Sequence, residues 1–201
     1  MKLTVQTDCK SLAPIYEDLA TSFANEESVI IAKVDAESED SKATASAQGI
    51  TGFPTIKWFP AGSKEAQTYS NARTEAAFID FINTEAGTYR APGGGLTAAG
   101  GTVAAIDTVI QKIIDGGNDV ASKADEIVKA ATGEKSTYAK YYAKAAEKIK
   151  ANSAWLDKEL ARLEGILKKG GLVPTKVDDL TSRSNILRRF KYVKSDEKSE
   201  L

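Results

Sequence analysis

The chain has no histidine and a single cysteine, Cys9, among 201 residues. It therefore forms no intramolecular disulfide, no histidine-assisted triad and no zinc site of the Cys/His type. Carboxylates alone could hold an ion, yet no loop has the spacing of a calcium site. No metal and no cofactor is expected. Neither sign of charge prevails, with 27 basic and 28 acidic residues and a net charge of −1. That balance gives no electrostatic case for nucleic acid or an anionic membrane. No apolar run approaches the roughly 20 residues of a membrane span, and Met1 to Gln6 lacks the apolar segment of a secretory signal. Proline is scarce, five in all, so each one is informative.

What is present is a 42% apolar composition with interspersed charge, enough for one large or two small cores. Leu3 and Val5 alternate with polar neighbours, a short-strand pattern over Lys2 to Gln6. Thr7 or Asp8 can cap a helix entered by Cys9 and reaching about Asn25, with Leu12, Ile15, Tyr16, Leu19 and Phe23 on one side. Pro14 removes one bond inside it. Ser28 to Val34 reads as a fully buried strand. Asp35 to Ala47 reads as a polar, Ala-rich helix ending near Gly49. A Gly52-Phe53-Pro54-Thr55 turn then leads into a strand over Thr55 to Phe59. An X-Pro bond in such a turn is where a cis peptide is tolerated. Pro60 to Ser63 connects to a returning edge strand, Ala66 to Tyr69. Thr74 caps a helix from Glu75 to about Ala86, burying Phe78, Ile79 and Ile82.

Between Gly87 and Gly101 the sequence is too Gly-rich for regular structure and predicts a linker. Beyond it the periodicity is helical throughout. Four stripes follow in order: Val103, Ile106, Ile110 and Ile113; Val120 to Ala131; Tyr138 to Ile149; and Leu156 to Leu167. Gly170-Gly171 ends the fourth, and Pro174 restarts a fifth through Val177, Leu180, Leu187 and Phe190. Five such helices with short connections predict an all-α five-helix domain. The predicted boundaries are 1–89, a linker at 90–101, a helical domain at 102–191 and a charged tail at 192–201.

Cys9-Lys10-Ser11-Leu12-Ala13-Pro14, then Val34-Asp35-Ala36, then Gly52-Phe53-Pro54-Thr55 resemble, in order and spacing, a thioredoxin-fold domain of the protein disulfide isomerase family. The whole arrangement resembles the subfamily that adds a carboxyl-terminal all-helical D domain. The resemblance implies an α/β thioredoxin-like domain, incomplete at its N-terminus, because the strand, helix and strand that should precede Cys9 are missing. Only Lys2 to Gln6 stands in for the second strand, and without it two ladders lose their shared partner. The expectation is a chain N-terminally incomplete or mis-assembled, joined near Asp8-Cys9.

The family motif is Cys-Gly-His-Cys-Lys, and Gln6-Thr7-Asp8-Cys9 occupies its four cysteine-to-cysteine positions. The resemblance makes Cys9 the second, resolving cysteine, leaves Gln6 where the attacking one should be, and makes Pro54 the cis-proline that presents backbone to a client. Cys9 at a helix start is also readable as a small buried hydrophobe, and Pro54 as a turn former only. Tyr138, Tyr141, Tyr142 and Trp155 read first as core and second as a client-binding surface. Lys168-Lys169 and Arg188-Arg189 read as solvated faces. Gly93 to Gly95 lacks the spacing and preceding strand of a dinucleotide site. Lys198-Ser199-Glu200-Leu201 resembles an endoplasmic-reticulum retrieval signal, with Ser199 departing at the second place.

The implied activity is thiol-disulfide exchange in the endoplasmic-reticulum lumen, on unfolded or disulfide-containing client proteins, with neither nucleic acid nor membrane as partner and a homo-oligomer left open. The rival reading is a redox-inactive chaperone that holds clients through the helical domain. With one thiol, release of a bound client has no internal resolving step. Catalytic insulin reduction is therefore expected to be absent, with Cys9 trapped as a glutathione mixed disulfide. Multiple turnovers per chain, abolished by Cys9→Ser, would contradict this.

Overall fold

The computed structural model describes residues 5–191, with side chains from Cys9 onward. The chain divides into two compact units between Thr97 and Ala98. The first holds α1 (Val5–Ser22), α2 (Lys42–Ala47), β1 (Lys57–Trp58), β2 (Gln67–Thr68) and α3 (Glu75–Ala86). The second holds α4 (Ala104–Asp115), α5 (Ala124–Thr132), α6 (Ala139–Ala151), α7 (Trp155–Lys169) and α8 (Pro174–Arg189). A thioredoxin-like α/β domain followed by a five-helix domain is therefore the fold class.

The first unit packs α1 against α3. Leu19 and Phe23 meet Phe78, Ile79 and Tyr69 in a small buried cluster, with Leu12, Ile15, Tyr16, Ile56 and Ile82 against its edge. Thr74 caps α3 by accepting from the Ala77 N–H at 3.2 Å, and Gly87 closes it in the left-handed region. The α/β character resides in one antiparallel ladder, Lys57 opposite Thr68 and Trp58 opposite Gln67. The Tyr69 N–H extends it to the Ile56 carbonyl at 2.9 Å.

Four sequence expectations are corrected here. Val5 and Gln6 are helical, not strand, and Thr7 and Asp8 lie inside α1 instead of capping it; Lys2 to Thr4 lie outside the described residues. No strand is assigned over Ser28 to Val34. Val29 and Ile31 reach the core, but Ile30 is 88% and Val34 65% exposed. An apolar run becomes a buried strand only when strands on both sides take its N–H and C=O groups. Among the described residues no strand pairs with it; the Val29 N–H goes to the Glu26 carbonyl and the Ala32 carbonyl accepts from Tyr16. The predicted helix over Asp35 to Ala47 is helical only from a short 3-10 turn at Glu39–Ser41 onward.

The Gly-rich stretch 90–101 also differs from a free linker. Arg90, 4% exposed, pairs with Glu26 at 3.0 Å and donates to the Asn25 and Gly94 carbonyls. Gly94 sits at φ +85°, where a Cβ would stand 3.3 Å from the Thr21 carbonyl oxygen. Gly101, at φ +78°, lies so close to α8 that a Cβ would meet that of Ser182 at 2.2 Å. At these two positions glycine is needed because backbone approaches helix.

The second unit is a closed helical core. Ile106, Ile110, Ile127, Tyr142, Ala145, Leu163, Ile186 and Leu187 are among its most buried residues, as the five apolar stripes require. Arg188 and Arg189 are exposed, as expected, and also tie elements together. Arg188 pairs with Glu164 at 2.8 Å and Arg189 with Asp107 at 3.2 Å.

Backbone amides without ladder partners exchange readily. The amides of residues 30–34 should therefore exchange much faster than those of α5 and α6. Hydrogen exchange finding the two sets equally protected would refute this account of the first unit.

Candidate functional site

Cys9 lies in the first half of α1, half-buried, with a free thiol. The anchors are Leu19, in the far half of the same helix, and Phe23, just past its end, at 1% and 2% exposure. Tyr16 meets Phe78 edge-on at 6.3 Å and donates to the Ala32 carbonyl at 3.0 Å; burial pushes its hydroxyl pKa up. The helix is thus held by its C-terminal part, and the cysteine sits on the less constrained end.

Pro54 occupies the turn before β1, and the Phe53–Pro54 bond is cis. The turn is fixed on both sides. Thr55 Oγ1 donates to the Gly52 carbonyl at 2.6 Å, and Arg73 donates to the Pro54 carbonyl at 3.1 Å. Trp58 packs edge-on against Phe81 at 5.2 Å, securing the strand that follows. Phe53 remains 38% exposed beside it. Among the described residues no hydrogen bond links Cys9 to this turn, so each is positioned by its own element.

The aromatic cluster of the second unit splits in two. Tyr142 is wholly buried; its hydroxyl donates to Asp107 and accepts from the Val103 N–H at 3.1 Å. It is core. Tyr138, Tyr141 and Trp155 are half-buried at the rim. The Tyr141 hydroxyl has no hydrogen-bond partner among the described residues, and the Arg183 guanidinium stands 5.1 Å from its ring centroid. Burial first, and the charge of Glu159 second, push the Tyr141 hydroxyl up to about 12.

Tyr138 and Tyr141 also line a cleft of about 300 Å³ with Lys140, Lys144, Asp179 and Arg183. No local sequence signal marks it, because α6 and α8 contribute to it from distant parts of the chain. A second cleft of about 400 Å³ runs beside α3, between Asn71, Asp80, Phe81 and Glu85. No group of three or more potential metal ligands occurs among the described residues, and no described helix is long and apolar enough to cross a membrane.

Comparison with known proteins matches the thioredoxin family model to residues 6–84 and that of the "Endoplasmic reticulum protein ERp29, C-terminal domain" to residues 101–190. The chain is 52% identical over 193 residues to protein disulfide-isomerase tigA of Aspergillus niger, covering 96% of this chain and 52% of that protein. It is 45% identical over 195 residues to protein disulfide-isomerase erp38 of Neurospora crassa, covering 96% and 53%. Protein disulfide-isomerase 1 of Dictyostelium discoideum is 37% identical over 188 residues, covering 91% and 52%. The chain thus spans about half the length of these relatives. No solved structure matches.

The half-buried tyrosine has a consequence at high pH. Unfolded tyrosine ionises near 10, whereas folded Tyr141 holds its proton to about 12. The unfolded state therefore loses the proton first, and stability falls as pH rises between those values. Urea melts of the helical unit should show this decline, shallower in Tyr141→Phe. An identical decline in the variant would discount Tyr141.

Proposed function

The chain belongs to the protein disulfide isomerase family, and from that premise we propose that it serves oxidative folding of client proteins in the endoplasmic-reticulum lumen by thiol-disulfide exchange. The observation that carries this reading is Cys9 on α1, followed by Lys10, in a unit whose Phe53–Pro54 turn is cis. Cys9 stands at the resolving-cysteine position and, as the single thiol, must itself make the attack; Pro54 takes the role of the cis-proline offering backbone to an extended client. The thioredoxin-like domain occupies 1–89 and the helical D-type domain 102–191, and the ending Lys198 to Leu201, outside the described residues, serves retrieval to the lumen.

The chemistry open to this chain is one half-reaction. The Cys9 thiolate attacks a client disulfide, forming one mixed S–S bond and expelling one client thiolate. Release then requires a second thiol, from glutathione or from the client. Positions 6 and 9 lie three residues apart on one helix, and residues so spaced share a face. A cysteine at position 6 would stand where a second thiol can reach Cys9.

Gln6→Cys is therefore the decisive variant. It should acquire multiple turnovers of insulin reduction that vanish when Cys9→Ser is added. A Gln6→Cys chain no more active than the parent would overturn the exchange reading and leave the helical domain as the functional part.

A further inference from the structure

The cleft between α6 and α8 joins unneutralised positive charge to aromatic walls. Lys140 and Lys144 are exposed, one turn apart on α6, and neither forms an ion pair among the described residues. Like charges at this spacing cost a helix about 0.2–0.5 kcal/mol unless something neutralises them. The carboxylates nearby are already engaged. Asp179 is shared by Lys176 at 2.9 Å and Arg183 at 2.8 Å, and Glu159 is held by both Nε and Nη2 of Arg162. Glu159 reaches Lys144 only through longer-range attraction. Arg183 is thus matched by Asp179, whereas Lys140 and Lys144 have no ion-pair partner among the described residues.

We propose that this cleft binds an extended acidic polypeptide segment, seating two of its carboxylates on Lys140 and Lys144 and its backbone across Tyr138 and Tyr141. The spacing carries the argument. Side chains on one side of an extended chain recur about every 6.6 Å, and Cβ atoms four apart on a helix stand about 5–6 Å apart. Two lysines on long flexible stems match carboxylates at alternate positions of such a segment. Arg183, stacked on the Tyr141 ring, supplies a cationic wall with its own orientation fixed. A flat anionic membrane would not reach aromatic rings set between two helices. The inference rests on the reading of this chain as a binder of polypeptide clients, and it names which clients the helical domain selects.

The test is fluorescence anisotropy on the full chain, with a labelled short peptide carrying Glu at alternate positions and its Gln counterpart. The Glu peptide should bind at least about tenfold tighter, and Lys140→Glu/Lys144→Glu should remove that preference. Both lysines are exposed, so the melting temperature should not move. Equal binding of the two peptides, or a preference that survives charge reversal, would overturn the proposal. So would displacement of the Glu peptide by inorganic phosphate at matched charge, which would make this a simple anion site. Should the double variant fail to fold, the parent chain decides. Affinity for the Glu peptide that falls with salt supports the proposal, and affinity indifferent to salt overturns it. None of these readouts involves Cys9, so failure here is separable from failure of the exchange reading.

Discussion

Arg90 is the contact on which the described part of the first unit depends. Its guanidinium is almost wholly buried and is shared among Glu26, the Asn25 carbonyl and the Gly94 carbonyl. Asn83 of α3 takes the Arg90 backbone on both sides, accepting its N–H at 2.9 Å and donating to its carbonyl at 2.8 Å. One residue thereby joins the end of α1, the end of α3 and the glycine turn. Ser22 completes the joint, bonded to both Glu75 and the Gly93 N–H. Removing one partner of a buried pair leaves the other charge without compensation, which costs about 3–5 kcal/mol. Since two short strands make up the sheet among the described residues, this polar joint and the cluster around Leu19 and Phe78 hold α1, and with it Cys9, in place.

The helical unit is stabilised differently. Its apolar stripes close on one another without a sheet, and two of its buried polar groups, Tyr142 and Asn185, are paired across elements. Tyr142 links α6 to α4 through Asp107, which Arg189 of α8 also engages. Asn185 donates to the Gly100 carbonyl at 3.0 Å, fixing the segment before α4 to α8. Each such bond adds about 1 kcal/mol net but costs more when left unmade. The result is a unit whose rim can be given over to recognition without weakening its core.

On the reading proposed above, the two units would divide the work along the same lines. The first holds the one thiol and the Pro54 turn, and the second offers charge and aromatic surface.

Much of this was legible in the sequence. Periods of 3.6 residues located all five helices of the second unit, and Thr74 and Gly87 bracketed α3, because caps and stripes are local properties. Cys9 and the Pro54 turn were legible for the same reason, each being a short motif. What the sequence could not decide was whether an apolar run has partners. Val29 to Val34 carries the composition of a buried strand, yet a strand exists only as a set of inter-strand bonds, and none forms there among the described residues. Nor could composition tell a loose Gly-rich connection from a packed one; the close approach of Gly94 to α1 and Gly101 to α8 is a fact of three dimensions. Arg188 and Arg189 read as solvent-facing and are exposed, but that Glu164 and Asp107 would pair with them was decided by the packing of α7 and α4 against α8. The cleft of Lys140, Lys144 and Arg183 likewise exists only because α8 packs beside α6, since a site built from residues far apart in the chain is defined by distance in space.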